Sequence, residues 1–314
     1  MSSSGTTTGT GTWAVVLNWN GGAQNADCVR SLLAQGLAPG RIVFVDNGSS
    51  DGSCEAIERE FAGLVVLRNR TNLGYGDGTN VGIRHALAAG AERLWLVNND
   101  VVFPAGVLSG LERELASAGG GIVAPRVLFK HPPDVVWCAG GTLTFRTNLS
   151  TMIGHGAKDG PEFQVTRDVD YVPGCALLAT RAVFDRIGLL EGAYFAYHED
   201  VEFCWKAKQA GFPVRVVGEL AAQHDAHAST GGGYNARRKY MMAVNTVHFL
   251  RKHGTPARWL GFWLFDVATL PLVWLYRSFR GEGRAVLAKA KGTLDGLRGI
   301  QVTPERLEAF GNGH

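Results

Sequence analysis

The chain is poor in cysteine, and none of its cysteines is closely paired. Cys28, Cys54, Cys138, Cys175 and Cys204 lie far apart, and no Cys-x-x-Cys occurs. That spacing excludes zinc ribbons and thioredoxin-type redox motifs, and it suits reduced thiols in the cytoplasm. Concentrated basic charge is also scarce. Thirty-one Lys and Arg against 28 Asp and Glu leave a formal charge of +3, and apart from Arg237-Arg238-Lys239 the cations are scattered. A nucleic-acid binder shows clustered cations, so nucleic acid is not an expected partner. Residues 1–12 lack the charged and apolar blocks of a signal peptide. Their Ser/Thr/Gly content reads as a disordered leader. No internal repeat is found.

What is present is 314 residues with 46% hydrophobic content, enough for a large core. Short apolar runs at Trp13 to Leu17, Arg41 to Val45, Leu64 to Leu67 and Arg93 to Val97 predict strands. Between them, Ala26 to Gln35, Ser53 to Phe61 and Gly78 to Ala89 have helical spacing. Runs without alternation indicate strands buried on both faces, hence an α/β fold with a mostly parallel, Rossmann-like sheet flanked by helices. Beyond it, strands are expected at Ile122 to Phe129, Asp134 to Phe145, Val169 to Ala179 with an interruption at Pro173-Gly174, and Val214 to Val217. A helix is expected within Tyr194 to Gln209, and helical pattern from Tyr234 onward.

Ligands in such sheets bind beyond the carboxyl ends of the strands, where the polar clusters of this sequence lie. Asn98-Asn99-Asp100 could supply a carboxylate to a divalent cation held mainly by diphosphate oxygens. The alternative is a capping turn. Asp46 to Asp51 could meet a nucleobase or ribose, or could again cap a helix. Asn72 to Gly82 is rich in Gly and Asn, which allow close backbone approach to phosphate, or simply a linker. It has neither a Walker loop nor a Gly-x-Gly-x-x-Gly pattern. Glu199, Asp200 and Glu202 stand among Tyr194, Phe195, Tyr197, Phe203 and Trp205. A carboxylate beside apolar groups gains a raised pKa and can act as general base, whereas a solvated helix start would use the same acids for its dipole. His224 and His227 with the glycines up to Gly233 suggest a metal-completing imidazole and a loop over a ligand, or an ordinary surface loop.

Taken in order, these pieces resemble glycosyltransferase family 2, the inverting enzymes of GT-A fold, and within it the rhamnosyltransferase-like branch. The matching stretches are residues 15–20, 45–52, 72–82, 96–101, 172–178 and 194–206, with His224 and Ser229 following; together they span about residues 12 to 255. The resemblance implies a UDP- or dTDP-sugar donor. Asp46 would meet its base, with Leu17, Asn18, Trp19 and Asn20 lining the same pocket. Asn72, Gly74 and Asn80 would lie along the nucleotide-sugar, with Asn98 and Asn99 beside it. Asp100 and His224 would hold Mg²⁺ or Mn²⁺ on the diphosphate. Asp200 would be the catalytic base with Glu199 as its neighbour, and Gly174 and Cys175 would line the sugar cleft. Asn98 departs from the aspartate common at that position. The Gln-x-x-Arg-Trp motif of processive synthases is absent, which favours transfer of single sugars to a glycan or lipid-linked acceptor in bacterial polysaccharide assembly. A sugar-phosphate nucleotidyltransferase would carry a basic finger after the first strand, and Asn20-Gly21-Gly22 lacks one. A catalytically inactive sugar-nucleotide-binding protein is the remaining alternative.

The domain reading is a leader over 1–12, a catalytic domain over 13–255 and a helical extension over 256–314. Trp259 to Phe279 is apolar and aromatic, with Asp266 as its only acid. Its length is near a membrane span, but Asp266 and Pro271 oppose a simple crossing. Its flanking Arg residues suit the surface of an anionic membrane, so the protein is placed in the cytoplasm, peripheral at the inner face of the cell membrane. Packing into the core and a homodimer interface are the alternatives.

Overall fold

The computed structural model describes residues 11–146, 148–225 and 234–310. Residues 1–10 of the expected leader, and His227, Ser229 and the Gly tract, lie outside the described residues. Four apolar runs form parallel strands: β1 (Thr12–Asn18), β2 (Ile42–Asp46), β3 (Val65–Arg68) and β4 (Arg93–Asn98). They lie side by side as β4-β1-β2-β3. The connections run through α1 (Gln24–Leu33), α2 (Ser53–Glu60) and α3 (Gly74–Ala88). Alternate residues of each strand feed two apolar layers. Val15, Val45 and Leu96 face Ile83 and Phe203, while Val16, Phe44 and Trp95 face Val29 and Leu111. In register, Asn18 sits opposite Asp46 and Leu17 opposite Asn98, so the polar strand ends meet in one corner.

The second half makes the sheet mixed. After β5 (Val101–Val102) and α4 (Val107–Ser117) come β6 (Ile122–Phe129), β7 (Val136–Cys138), the hairpin β8 (Gly141–Leu143)/β9 (Ser150–Met152), and β10 (Arg167–Asp168). β11 (Ala176–Thr180) runs antiparallel between β4 and β6. α5 (Arg181–Ile187) and α6 (Glu199–Gln209) lead to β12 (Val214–His224), which lies parallel to β6.

Among the expected boundaries that move, three shape the site. α3 begins at Gly74 and not Gly78, because the glycines there serve packing. A Cβ on Gly78 would stand 2.9 Å from Asn47 and Leu17, and one on Gly82 would stand 2.5 Å from Val15. The expected strand over Val169 to Ala179 keeps only β11, and the expected interruption at Pro173-Gly174 widens to irregular chain over Val172 to Cys175 at the corner. β12 is eleven residues long, because a bulge between Val217 and Ala221 interrupts its apolar pattern without ending it.

The C-terminal helices are α7 (Ala236–His253), α8 (Pro256–Gly261), α9 (Leu270–Ser278), α10 (Gly283–Leu297) and α11 (Pro304–Glu308). α7 and α10 pack closely, since a Cβ on Gly296 would come within 2.8 Å of Val247. α7 also clamps the chain before α6. Asn245 Nδ2 lies 2.7–3.0 Å from the carbonyls of Tyr194, Ala196 and Tyr197. α8, a π-helical turn over Phe262–Val267 and α9 form one rod, Pro256–Ser278, long and apolar enough to cross a membrane, with 11% of its most apolar stretch buried. Asp266 is turned inward onto Lys289 of α10.

Candidate active site

The corner where the strands end is held by asparagines. Asn18 is fully buried and saturated. Its Nδ2 lies within reach of Asp46 Oδ1 (3.1 Å), Ser49 Oγ (3.2 Å) and Ser53 Oγ (3.0 Å), and its Oδ1 accepts from Gly21, Asn25 and Asn99. Asn99 also donates to Asn25 Oδ1 at 2.7 Å. Asn47, within the expected Asp46 to Asp51 segment but not singled out there, donates to Asn72 Oδ1 at 2.9 Å and to the Gly74 carbonyl at 3.0 Å, fixing the chain that opens α3.

Asp100 follows β4 directly, and His224 ends β12. The short pairing of β12 with β5 sets His224 against Val101, which brings His224 Nε2 to 3.2 Å from Asp100 Oδ1. Both side chains are buried, and Trp137 packs edge-on against the imidazole at 4.4 Å. His224 Nδ1 and Asn98 Oδ1 are buried without a hydrogen-bond partner. The described residues hold no cluster of three His, Cys, Asp or Glu that could cage a metal alone. One carboxylate and one imidazole, with a partnerless carbonyl oxygen close in sequence, fit a divalent cation that takes its remaining oxygens from a bound diphosphate.

The second acidic group sits at the start of α6. Asp200 Oδ2 accepts the Gly174 N–H at 2.9 Å, and Oδ1 accepts the Val201 N–H at 2.8 Å. Burial raises its pKa against these hydrogen bonds. Glu199 is raised well above the usual carboxylate range, by burial and then by the charge of Asp200, and its Oε2 has no hydrogen-bond partner. Tyr75 Oη donates to the Gly174 carbonyl at 2.9 Å. Phe195, Tyr197 and His198 all adopt positive φ, a costly conformation held here by the Asn245 clamp and typical of functional sites.

These groups surround a cavity of about 920 Å³. Of the expected residues, Leu17, Trp19, Asn20, Asn72, Gly74, Asn98, Asn99, Gly174, Cys175, Glu199, Asp200 and His224 line it. Asn18, Asp46, Asn80 and Asp100 do not. Asn18 and Asp46 lie behind the lining in the asparagine network. Asn80 needs correction as a ligand-facing residue. Its amide bonds both the N–H and the carbonyl of Leu190, because a buried backbone segment there requires partners. Asn47, Tyr75, Trp137, His198 and Arg238 line the cavity without having been singled out as site residues. His198 and Arg238 were visible within their motifs, whereas Trp137 carries no local signal.

The profile described as glycosyltransferase like family 2 matches residues 10–242. The chain is 26% identical over 200 residues to the low-salt glycan biosynthesis hexosyltransferase Agl10 of Haloferax volcanii, covering 63% of this chain and 62% of that protein. It is 27% identical over 213 residues to an N-acetylglucosaminyl-diphospho-decaprenol L-rhamnosyltransferase of Mycobacterium tuberculosis, covering 62% and 69%. Among solved structures it superposes on GalNAc-T7, crystallised with UDP, GalNAc and Mn²⁺. The TM-score is 0.59 at 15% identity, over 76% of this chain and 47% of the other. That likeness shows a shared GT-A-type α/β fold.

Proposed function

The chain belongs to glycosyltransferase family 2, and on that membership we propose that it transfers a sugar from a UDP- or dTDP-sugar to a hydroxyl of a glycan or lipid-linked acceptor, with inversion. One observation carries the reading. Asp200 stands in the wall of the cavity, oriented by two backbone N–H groups, with His224 in the same wall and Asp100 behind it, 3.2 Å from His224. The relatives named for hexosyl and rhamnosyl transfer support the reaction class.

The reaction is one in-line displacement. Asp200 takes the proton of the acceptor hydroxyl, the oxygen forms a bond to the anomeric carbon, and the bond to the diphosphate oxygen breaks. The nucleoside diphosphate leaves with the electron pair. Asp100 and His224 would hold Mg²⁺ or Mn²⁺, which when bound supplies charge stabilisation to the diphosphate. Trp19, 43% exposed at the cavity, offers a stacking face for a base. Asn47 and Asn72 keep the start of α3 in place beside it.

The 13–255 segment acts as the catalytic domain in this reading, and 256–314 as its helical extension. The exposed face of the rod supports peripheral contact with the inner face of the cell membrane. The test is thermal-shift screening of UDP-, dTDP- and GDP-sugars with and without Mn²⁺. Stabilisation by a uridine or thymidine donor, greater with Mn²⁺, is expected. Stabilisation by GDP-sugars alone overturns the donor assignment.

A further inference from the structure

A cationic wall at the start of α7 is used by neither the proposed base nor the proposed metal pair. Arg237 and Arg238 line the cavity, and Arg238 Cζ lies 5.4 Å from the Tyr197 ring centre. The next residue, Lys239, places Nζ 4.3 Å from the centre of the Tyr234 ring. Arg277, on the apolar rod, places Cζ 4.1 Å from the same ring. Lys289 of α10 lies beside them, paired with the buried Asp266. The carboxylates facing this group are Asp266 and Glu282, and Glu282 pairs with Arg277 at 2.6 Å. Around Lys239, the four cations Arg238, Lys239, Arg277 and Lys289 therefore face two carboxylates, and no carboxylate among the described residues pairs with Lys239. Burial and the neighbouring cations pull the Lys239 ammonium down to about 8, the direction expected of a site short of an anion.

A second observation points to a ligand at the same wall. His198 is 4% exposed, lines the cavity, and has no hydrogen-bond partner on either ring nitrogen. Burial and then Arg238 hold its ring neutral, with a pKa of about 4. A neutral imidazole can donate on one nitrogen and accept on the other, which suits a sugar hydroxyl. The wall thus runs from the cavity beside Asp200, through Arg238 and Lys239, to Arg277 on the rod. That rod exposes Leu264, Phe265, Leu272 and Leu275.

We propose that Arg238, Lys239 and Arg277 seat the phosphates of a lipid-linked diphosphate acceptor, whose hydrocarbon lies on the rod and whose sugar meets His198 and reaches Asp200. This rests on the glycosyltransferase reading above and names its acceptor class. The seat is a second phosphate site, separate from the Asp100–His224 pair. Its charge excess matches a diphosphate, and charge-assisted contacts of this kind are strong.

The test is binding of farnesyl diphosphate to the full chain with saturating UDP and Mn²⁺ present, so that the donor site is filled. Farnesol, inorganic diphosphate and glycerol phosphate serve as comparison ligands. Farnesyl diphosphate is expected to bind more tightly than farnesol or inorganic diphosphate. Lys239→Gln and Arg277→Gln should each weaken it by about tenfold or more, and Lys239→Arg should restore it. Unchanged binding in both glutamine variants, or no rescue by Lys239→Arg, overturns the proposal. So does displacement of the probe by glycerol phosphate, the soluble phosphatidylglycerol headgroup, which would make the wall a phospholipid headgroup site. UDP binding is read on the wild type separately. Its absence counts against the donor reading and leaves the farnesyl diphosphate result to stand by itself.

Discussion

Gly174 and Asp200 are tied together at the cavity wall, the Gly174 N–H donating to Asp200 Oδ2 at 2.9 Å. With the Val201 N–H on the other oxygen, this makes Asp200 the better-solvated member of a buried acidic pair. Glu199 has a buried oxygen without a hydrogen-bond partner and the charge of Asp200 beside it. Burial and the Asp200 charge push Glu199 well above the carboxylate range, while two backbone N–H groups oppose the rise at Asp200, which supports the proposal of Asp200 and not Glu199 as the base.

Asp200→Asn should lower kcat by roughly 10²- to 10⁴-fold while UDP still stabilises the protein in a thermal melt. Glu199→Gln should lose less, because in the proposed reaction Glu199 takes no proton from the acceptor. The sign of the pH dependence follows. Burial raises Asp200 above its ordinary 3.8, and the base works only when ionised. The acid limb of kcat/KM should therefore lie above 3.8, with activity falling as pH drops through it. An Asp200→Asn enzyme retaining most of its transfer rate would remove Asp200 from this role.

Gly174 has little room for a side chain. A Cβ there would stand 3.0 Å from Tyr75 Oη and 3.3 Å from Asp200 Cβ. Gly174→Ala should push Asp200 out of line and cut kcat by about tenfold or more, because small displacements of a reacting group cost heavily. Adding Tyr75→Phe removes the closest atom and should recover part of the loss. Equal activity of Gly174→Ala and wild type would show that the wall yields freely.

If Asp100 and His224 hold the cation on the donor diphosphate, Mn²⁺ should tighten UDP binding to the wild type. Asp100→Ala should abolish that enhancement, and His224→Ala should reduce it. Calorimetric titration with and without EDTA reads it directly. An Asp100→Ala variant that keeps the full Mn²⁺ effect would place the cation elsewhere.

The parallel half of the sheet was legible because strands buried on both faces read as apolar runs with polar ends. β12 was not, because Gly218 and Glu219 interrupt its apolar pattern at the bulge while the ladder continues to His224. Asn18 and Asn80 were read as ligand-facing, yet an asparagine amide pairs with a backbone or another amide as readily as with a ligand. Only the packing reveals which: Asn80 closes on Leu190 and Asn18 on its own network. The aromatic loop before α6 was visible as composition. Its positive-φ residues and their clamp by Asn245, fifty residues on, depend on α7 docking that no local pattern encodes.

That docking has an ionic fastener. Glu202 is 1% exposed and its Oε1 lies 2.7 Å from Lys252 Nζ and 2.6 Å from His253 Nε2. Burial opposes its charge, but hydrogen bonds from His253 and Lys252 win and hold its pKa below the ordinary 4.5. The native state thus binds fewer protons than the unfolded chain in that range. The stabilisation is complete above pH 4.5 and is lost as pH falls through the depressed value. Glu202→Gln should cost about 1–3 kcal/mol in urea unfolding at pH 7, a figure reduced because Lys252 and His253 are partly exposed. The difference from wild type should shrink in acid. A constant difference from pH 7 down to pH 3 would show that Glu202 acts through packing alone.

The rod from Pro256 to Ser278, with Phe279 just after it, presents Leu260, Trp263, Leu264, Phe265, Leu272, Trp274, Leu275, Tyr276 and Phe279 at 43–85% exposure. Covering large apolar side chains contributes about 1.5–3 kcal/mol for each one fully buried, so such a face is stable only when something lies on it. Asp266, which with Pro271 opposed a simple crossing, points inward to Lys289 and leaves the outer face uncharged along its middle. Arg280 and Arg284 lie just beyond its end, exposed. Cations there add about 1 kcal/mol each at an anionic surface. The protein should therefore float with phosphatidylglycerol vesicles, less with phosphatidylcholine, and less again in about 0.5 M salt, where charges are screened. Leu272→Ser with Phe279→Ser should release it under all three conditions, and Arg280→Gln should act only on the anionic vesicles. If the wild type stays in the soluble fraction and light scattering gives twice the chain mass, the face joins two copies of the chain and does not rest on lipid.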